Sequence, residues 1–213
     1  MRSYAAELFR LQEYYPHVPL SALAEEMTVS LQAASRMARR LQKAGLVAHI
    51  PYQGLRLTPE GESQALPAIR RHRLTEVFLV RVMGFGWDEV HDLTDHLEPG
   101  INDILEGRID EILDHPTRCP HGEPIPDLDG RLPTLDDAPL TTIEPGVTVR
   151  VSRIRTHDTA QLRYVGELGL KPGKRFQLLS QAPFDGPLRI DLGSEELVLG
   201  FNLASTIWVD IEE

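Results

Sequence analysis

The chain has almost no cysteine, few aromatic residues and no long apolar run. Of its 213 residues one is cysteine, and Phe, Trp and Tyr together make up 6%. A single cysteine excludes an internal disulfide and fits a reducing cytosol. The lack of an apolar run of membrane-spanning length, and of an apolar core in the first residues, argues against a membrane helix and a signal peptide. We therefore expect a cytoplasmic globular protein with no membrane partner.

Positive charge is also scarce, and it is unevenly distributed. The whole chain carries a formal net charge of -10, which does not favour binding to nucleic acid. Residues 1–73 nevertheless hold 10 Lys and Arg against 6 Asp and Glu, a net charge of +4, and the rest holds 12 against 26, a net charge of -14. A basic head on an acidic body is compatible with DNA binding confined to the head, although acidic surfaces also aid solubility.

Residues 1–62 are predicted to form a winged helix-turn-helix domain. Apolar side chains at helical spacing predict a first helix that ends at Pro16, followed by a second, short helix. Ser30 is a good N-cap for a third helix over about 31–44. Two short apolar runs then flank a turn within 46–58, which is typical of a β-hairpin.

The remainder is predicted to form a helical domain, a linker and a small β-barrel. Residues 63–122 contain three helical patterns, the second from Trp87 to Leu97, and the third has an apolar stripe that suits either a core or a dimer interface. Residues 123–145 are rich in Pro, Gly and Asp and are expected to be a linker. Residues 146–213 contain five short β-like runs and one short helix, as in an SH3-like barrel. The predicted fold class is mainly α with β.

The third helix carries long donor side chains along one face. Four of them are spaced i, i+4, i+7 and i+11, whereas small and apolar residues line the opposite face. A recognition helix in the major groove needs such a face, so we expect Arg36 to read guanine and Gln32 to read adenine. A solvated basic face is the common alternative, but the preceding helix and the hairpin favour double-stranded DNA as the partner. The candidate DNA-binding residues are Ser30, Gln32, Ser35, Arg36, Arg39, Arg40 and Lys43.

Potential metal ligands crowd into the middle of the chain. Two of them share one helix face, three share another, and a Cys-Pro-His segment follows at the start of a loop. Each pattern alone is common on protein surfaces, and a lone cysteine is more often a buried small hydrophobe. Together, thiolate, imidazole and carboxylate select a divalent transition metal over calcium or magnesium. The candidates are His72 and Glu76, then His91, Asp95 and Glu98, and finally Cys119 and His121.

Several motifs along the chain carry a family resemblance. They are Leu23-Ala24-Glu25-Glu26 to Gly45-Leu46-Val47, Arg71-His72-Arg73-Leu74-Thr75-Glu76, Val90-His91-Asp92, Cys119-Pro120-His121-Gly122-Glu123-Pro124-Ile125-Pro126 and Glu167-Leu168-Gly169-Leu170-Lys171-Pro172-Gly173. With them the chain resembles, over essentially its whole length, the diphtheria toxin repressor / manganese transport regulator family of metal-dependent bacterial repressors. The last motif resembles the SH3-like FeoA domain. The resemblance implies a homodimer that binds operator DNA when it holds Mn²⁺ or, alternatively, Fe²⁺.

The same resemblance implies two metal sites per subunit. One would use His72, Glu76 and His91, completed from the SH3-like domain by Asp158 and Gln161. The other would use Asp95 and Glu98 with Cys119 and His121. The N-terminal position that usually supplies a further ligand is Ser3 here, and Glu7, one turn later, is the alternative. The position after Glu98, often a histidine in the family, is Pro99.

Two other functions remain compatible with the sequence. A metallohydrolase would also use a helical His/Glu site, but the chain has no HExxH motif and its basic helix would be unexplained. A winged-helix regulator that senses an organic ligand would use the His and acidic residues only structurally. We expect a non-enzymatic repressor that controls manganese or iron homeostasis.

Overall fold

The computed structural model describes residues 4–212, and its first domain, the head, confirms the predicted winged helix-turn-helix. Ser30 caps the third helix, because its hydroxyl accepts a hydrogen bond from the backbone N–H of Ala33 (3.2 Å). Gly45, at φ +75°, follows the end of the same helix in a conformation that favours glycine. The head consists of α1 (Tyr4–Leu11), α2 (Leu20–Glu26), α3 (Leu31–Lys43), β1 (Val47–Ile50) and β2 (Gly54–Leu57).

A helix of 23 residues, α4 (Pro59–Arg81), connects the head to the helical domain. Its first turn is capped by Thr58, whose hydroxyl accepts a hydrogen bond from the N–H of Gly61 (3.1 Å). Gly61 lies against the carbonyl oxygen of Leu46, where a Cβ would overlap it, so the start of α4 is fixed to the hairpin. Although α4 is the longest helix described, neither it nor any other described helix is apolar enough to cross a membrane.

The helical domain continues with α5 (Val90–Leu97), a 3-10 turn (Glu98–Gly100) and α6 (Asp103–Ile112). The helix predicted to begin at Trp87 begins at Val90 instead. Trp87 is buried in the core of the third domain, and a Cβ on Gly166 would lie 2.9 Å from its Nε1. The indole is therefore held outside the helix by a tertiary contact that the local sequence does not reveal.

The third domain contains an antiparallel sheet with strand order β3-β8-β4-β5-β6-β7, which confirms the predicted C-terminal β domain. Register shifts in β4 and β5 bend the sheet around a core that α7 also covers. The elements are β3 (Ala138–Pro139), β4 (Thr148–Ile154), α7 (Thr159–Glu167), β5 (Arg175–Gln181), β6 (Leu188–Asp191), β7 (Glu196–Leu199), α8 (Phe201–Ala204) and β8 (Ile207–Ile211).

The segment expected to be a linker, 123–145, is packed at both ends, whereas most of 127–136 is exposed. Ile125 joins the core of the helical domain, whereas Leu140 and Ile143 join the core of the third domain. β3 pairs with β8 and adds a sixth strand to the five that were predicted. Ile125, Leu140 and Ile143 are scattered without periodicity through a segment rich in proline and glycine, so the local sequence does not reveal that they are buried.

Candidate metal centre and DNA-binding surface

His72 on α4 lies at the centre of a buried cluster of potential metal ligands. Its Nε2 is 3.1 Å from Glu76 Oε1 and 3.2 Å from His91 Nδ1. Its Nδ1 faces the other way, 3.1 Å from Glu98 Oε2 and 3.6 Å from Asp95 Oδ1. Helical spacing gives His72 and Glu76 a common face on α4, and His91 and Asp95 a common face on α5. The packing of α4 against α5 and the following turn brings these four side chains and Glu98 together.

Cys119 and His121 reach the cluster from the loop after α6. His121 Nδ1 lies 3.5 Å from Glu76 Oε2 and 3.9 Å from Cys119 Sγ. The Nε2 of His121 is 2.8 Å from the carbonyl oxygen of Trp87, so it is placed to donate a hydrogen bond there and to leave Nδ1 facing the cluster. The loop is held close to β4, because Gly122 at φ +92° has no room for a Cβ against the backbone of that strand.

The ligands form two sets that differ from the pairing expected from the sequence. Cys119 and His121 were expected to join Asp95 and Glu98. They lie instead against Glu76, because the loop approaches His72 from its Nε2 side and the acidic residues of α5 lie on its Nδ1 side. The histidine set comprises His72, His91 and Asp95, the thiolate set comprises Glu76, Cys119 and His121, and within each set the ligand atoms lie within 4.8 Å of one another.

Glu76 and His121 carry opposite charges within the thiolate set, and each stabilises the ionised form of the other. Burial opposes ionisation of Glu76, but the charges and hydrogen bonds of His121 and His72 outweigh it and hold the pKa of Glu76 well below its usual range. Burial alone would lower the pKa of His121, whereas the charge of Glu76 and the hydrogen bond with Cys119 raise it well above the usual value. Burial and the charge of Glu76 raise the pKa of the Cys119 thiol. Around neutral pH the metal-free set therefore holds a carboxylate, an imidazolium and a thiol.

His157, and not Asp158 or Gln161, extends from the third domain to the cluster. Its ring stacks on that of His91 with centroids 3.9 Å apart. Burial and the charge of His91 hold the pKa of His157 well below its usual value, so its ring is neutral. Asp158 is exposed and its carboxylate accepts a hydrogen bond from the backbone N–H of Gln161 (2.8 Å), which makes it the N-cap of α7. A lone histidine before a helix cap carries no periodic signal, so His157 was not predicted from the sequence.

Glu7 and Arg10 bring α1 of the head into the same cluster. Both are buried, and Arg10 Nη1 lies 2.7 Å from Glu7 Oε1. The guanidinium is also 3.9 Å from Asp95 Oδ1 and 3.5 Å from Glu98 Oε2. Arg10 thus links Glu7, the alternative ligand from α1, to the acidic residues of the cluster, whereas Ser3 lies outside the described residues. Arg10 was not predicted from the sequence.

A second buried ionic network, also absent from the sequence analysis, joins all three domains beside the cluster. Arg73 on α4 lies 2.8 Å from Glu13 of the head and 3.6 Å from Glu123 in the loop after α6. Arg155 of the third domain donates a hydrogen bond to the backbone carbonyl of Glu13. Burial and the charge of Glu123 raise the pKa of Glu13 to about 7. The network holds the end of the α1 segment against both other domains.

The thiolate set and the space around it fit a divalent transition-metal ion. The cluster borders a cavity of about 20 Å³, which is room for one particle the size of a water molecule. Thiolate, imidazole and carboxylate donors converge on it, and this mixture suits ions such as Mn²⁺, Fe²⁺ or Zn²⁺ rather than Ca²⁺. The carbonyl of Trp87 fixes the ring orientation of His121, as a hydrogen-bonded partner of a ligating histidine does.

The candidate DNA-binding residues lie on the open face of α3. Ser35 is half-buried, and Ser30 is exposed but engaged as the helix cap. Ala34 and Ala38 are buried on the opposite face. The exposed face is therefore free to enter a groove, with the hairpin at its side. Its exposed long side chains are Gln32, Arg36, Arg39, Arg40 and Lys43.

A second open surface of the helical domain is apolar. Ile104, Leu105 and Ile112 of α6 are 77%, 49% and 64% exposed. Their spacing places them in one sector of the helix, and Leu97 at the end of α5 is 49% exposed as well. An apolar stripe of this kind on a helical domain is typical of a surface that another protein covers.

Comparisons with known proteins agree with this division of the chain. Residues 1–55 match the iron dependent repressor N-terminal DNA binding domain, residues 58–127 match the iron dependent repressor metal binding and dimerisation domain, and residues 138–211 match the FeoA domain. The diphtheria toxin repressor of Corynebacterium glutamicum is 33% identical over 198 residues, which cover 91% of this chain and 84% of that relative. The iron-dependent repressor IdeR of Mycobacterium tuberculosis is 31% identical over 205 residues, which cover 90% of this chain and 89% of the relative.

Solved structures give the same result. A manganese-dependent transcriptional repressor in complex with manganese superimposes with a TM-score of 0.88 at 37% identity, covering 98% of each chain. The IdeR of T. acidophilum superimposes with a TM-score of 0.87 at 27% identity over 100% of each chain. The chain therefore belongs to the diphtheria toxin repressor family of metal-dependent transcriptional repressors.

Proposed function

We propose that the chain is a homodimeric repressor that binds operator DNA when its buried cluster holds Mn²⁺ or Fe²⁺. The observation that supports this most directly is the meeting of head and helical domain in one cluster. Arg10 of α1, which is paired with Glu7, contacts the side chains of Asp95 and Glu98, and these adjoin the other candidate ligands. The charge in the cluster is therefore linked to the position of the DNA-binding head. Because the target is DNA, the proposed compartment is the cytoplasm.

Each donor set is proposed to hold one cation, so that a subunit binds two. The thiolate set offers the Glu76 carboxylate, Cys119 Sγ and His121 Nδ1. The histidine set has an acidic neighbour at Glu98, and Arg10 connects Asp95 of this set to Glu7. A bound divalent cation would supply the positive charge that keeps these carboxylates, imidazoles and the thiolate in one arrangement. His157 replaces Asp158 and Gln161 as the third-domain residue proposed to contact this centre.

Linkage requires that metal and DNA each raise the affinity for the other by the same factor. The test is a titration of operator DNA at fixed free Mn²⁺, Fe²⁺ or Zn²⁺, with metal analysis of the protein from its native cell. Metal analysis is needed because affinity in vitro follows the Irving–Williams order more closely than physiological use does. We expect tighter DNA binding with Mn²⁺ or Fe²⁺. The proposal would be contradicted if DNA affinity changed with an organic effector but with no metal. Metal-dependent hydrolytic turnover would contradict it as well.

Arg36→Ala is expected to weaken operator binding at every metal concentration. A bidentate contact with guanine is worth about 1–3 kcal/mol, and a dimer presents it twice, so affinity should fall at least tenfold. The measurement is fluorescence anisotropy with operator and with unrelated DNA. The ratio between metal-loaded and metal-free affinity should stay unchanged. Lys43→Ala is the comparison variant. It should weaken binding to both DNAs alike and reduce the salt slope by about two, because each of the two subunits loses one proposed phosphate contact.

Metal uptake by the thiolate set is expected to release about two protons per ion at neutral pH, because ligands must lose their protons. The pKa values of His121 and Cys119 are both raised, so both groups are protonated without metal, whereas Glu76 is already ionised. Affinity should therefore rise with pH through the neutral range. Calorimetric titration in buffers of different ionisation enthalpy measures the release. Cys119→Ala should release about one proton, and no release from the wild type would contradict the ligand assignment.

A further inference from the structure

The Arg10 guanidinium lies where a cation would be needed between three carboxylates. Arg10 is 7% exposed and contacts Glu7, Asp95 and Glu98, which we call the acidic ring. The ring includes residues of both α1 and the α5 end, so the guanidinium bridges head and helical domain. Among the described residues, Glu7 Oε2 is buried without a hydrogen-bond partner, so the ring retains an open acceptor.

A guanidinium and a divalent cation cannot share this ring. Arginine stays charged at any ordinary pH, and its donors suit carboxylates. A divalent ion bound by the same oxygens would lie within a few ångströms of Arg10, in a buried place where the repulsion between like charges is poorly screened. Binding of the one therefore requires displacement of the other.

We infer that Arg10 is a built-in competitor of the metal, which sets the concentration at which the acidic ring accepts a divalent cation. In the metal-free chain it holds Glu7, Asp95 and Glu98 together and keeps α1 docked on α5. Its described ion pairs are with this ring and not with the thiolate set. The thiolate set should therefore fill first. The histidine set, which shares Asp95 with the acidic ring, should fill second, as the weaker site. This inference rests on the proposed function and adds a residue that determines its metal threshold.

Calorimetric titration of the metal-stripped full-length chain with Mn²⁺ tests the competition directly. The wild type should show a tight and a weak step. Arg10→Met should lower the Mn²⁺ dissociation constant of the weak step at least tenfold, because it removes the competing charge. The dissociation constant of the tight step should stay unchanged. Arg10→Lys should stay near the wild type, because it keeps the charge. Arg70→Met is the matched control: Arg70 is equally buried on α4 but pairs with Asp110 and Glu106, and both steps should be unchanged.

Thermal unfolding supplies a second readout that does not depend on DNA. Metal-free Arg10→Met should melt below the wild type, because its carboxylates lose their counter-charge, and Mn²⁺ should raise its melting temperature more than that of the wild type. If Arg10→Met does not fold without metal, Arg10→Gln, which still donates to Glu7, takes its place in both measurements.

The outcomes separate this inference from the proposed function. If the dissociation constant of the weak step agrees within twofold between Arg10→Met and the wild type, the role of Arg10 is overturned. The same holds if Arg10→Lys lowers that constant as much as Arg10→Met does, because the effect would then depend on the size of the side chain and not on its charge. In either case a normal Mn²⁺ response of wild-type DNA binding would leave the proposed function standing. A wild-type chain that binds no Mn²⁺ and shows no metal response in DNA binding overturns both.

Discussion

Cys119→Ala should abolish the metal response of operator binding and leave the fold intact. The thiol lies 3.9 Å from His121 Nδ1 in the thiolate set, and this set is proposed to fill first. Coupling between an effector and its target is typically about 1–3 kcal/mol, or roughly 5–150-fold in affinity. The variant should reduce that ratio to nearly one. The measurement is operator affinity with and without Mn²⁺.

The same variant distinguishes a ligand from a packing residue. Cys119 also joins an apolar cluster with Leu74, Val77 and Ile125, so a purely structural cysteine would be the simpler explanation. In that case alanine would cost on the order of 1 kcal/mol of unfolding free energy and leave the metal response unchanged. Loss of the Co²⁺–thiolate charge-transfer absorption in the variant would identify the sulfur as a ligand. His115→Ala removes an exposed histidine of the same domain and should change neither signal.

Local periodicity was enough to predict the parts of the site that lie on one element. The spacing of His72 and Glu76 predicted that they share one face of α4. The spacing of His91 and Asp95 predicted the same for α5. The cap at Ser30 and the basic face of α3 were predicted for the same reason. In each case the geometry follows from the helix itself and needs no knowledge of its neighbours.

Relations between elements were not predictable in this way. The Cys-Pro-His loop joins Glu76 and not Asp95, because the loop is held against β4 on one side of His72. His157 and Arg10 enter the cluster from separate domains, and no spacing within either segment signals it. The buried position of Trp87 likewise depends on a glycine of α7. Such contacts depend on how the three domains pack together.

Ile104 lies in the apolar stripe on α6, and Ile104→Asp should separate the dimer. Ile104 is 77% exposed in the isolated chain, in a region that matches a dimerisation domain. In a two-fold symmetric interface the substitution occurs twice, so two carboxylates would face each other or an apolar surface. Burying an unpaired charge costs several kcal/mol, so the dissociation constant of the dimer should rise more than a hundredfold. Sedimentation equilibrium of the full chain measures it.

Operator affinity should fall when the dimer dissociates, because the single head of a monomer contacts only one half of a palindromic site. Phe184→Asp is the control, since Phe184 is fully exposed but lies on a turn of the third domain with φ +60°, which aspartate tolerates. It should leave both mass and DNA affinity unchanged. A dimeric Ile104→Asp chain would show that α6 is not the contact between subunits. A monomeric chain with full operator affinity would mean that each head binds DNA alone, and metal could then not act by setting the distance between two heads.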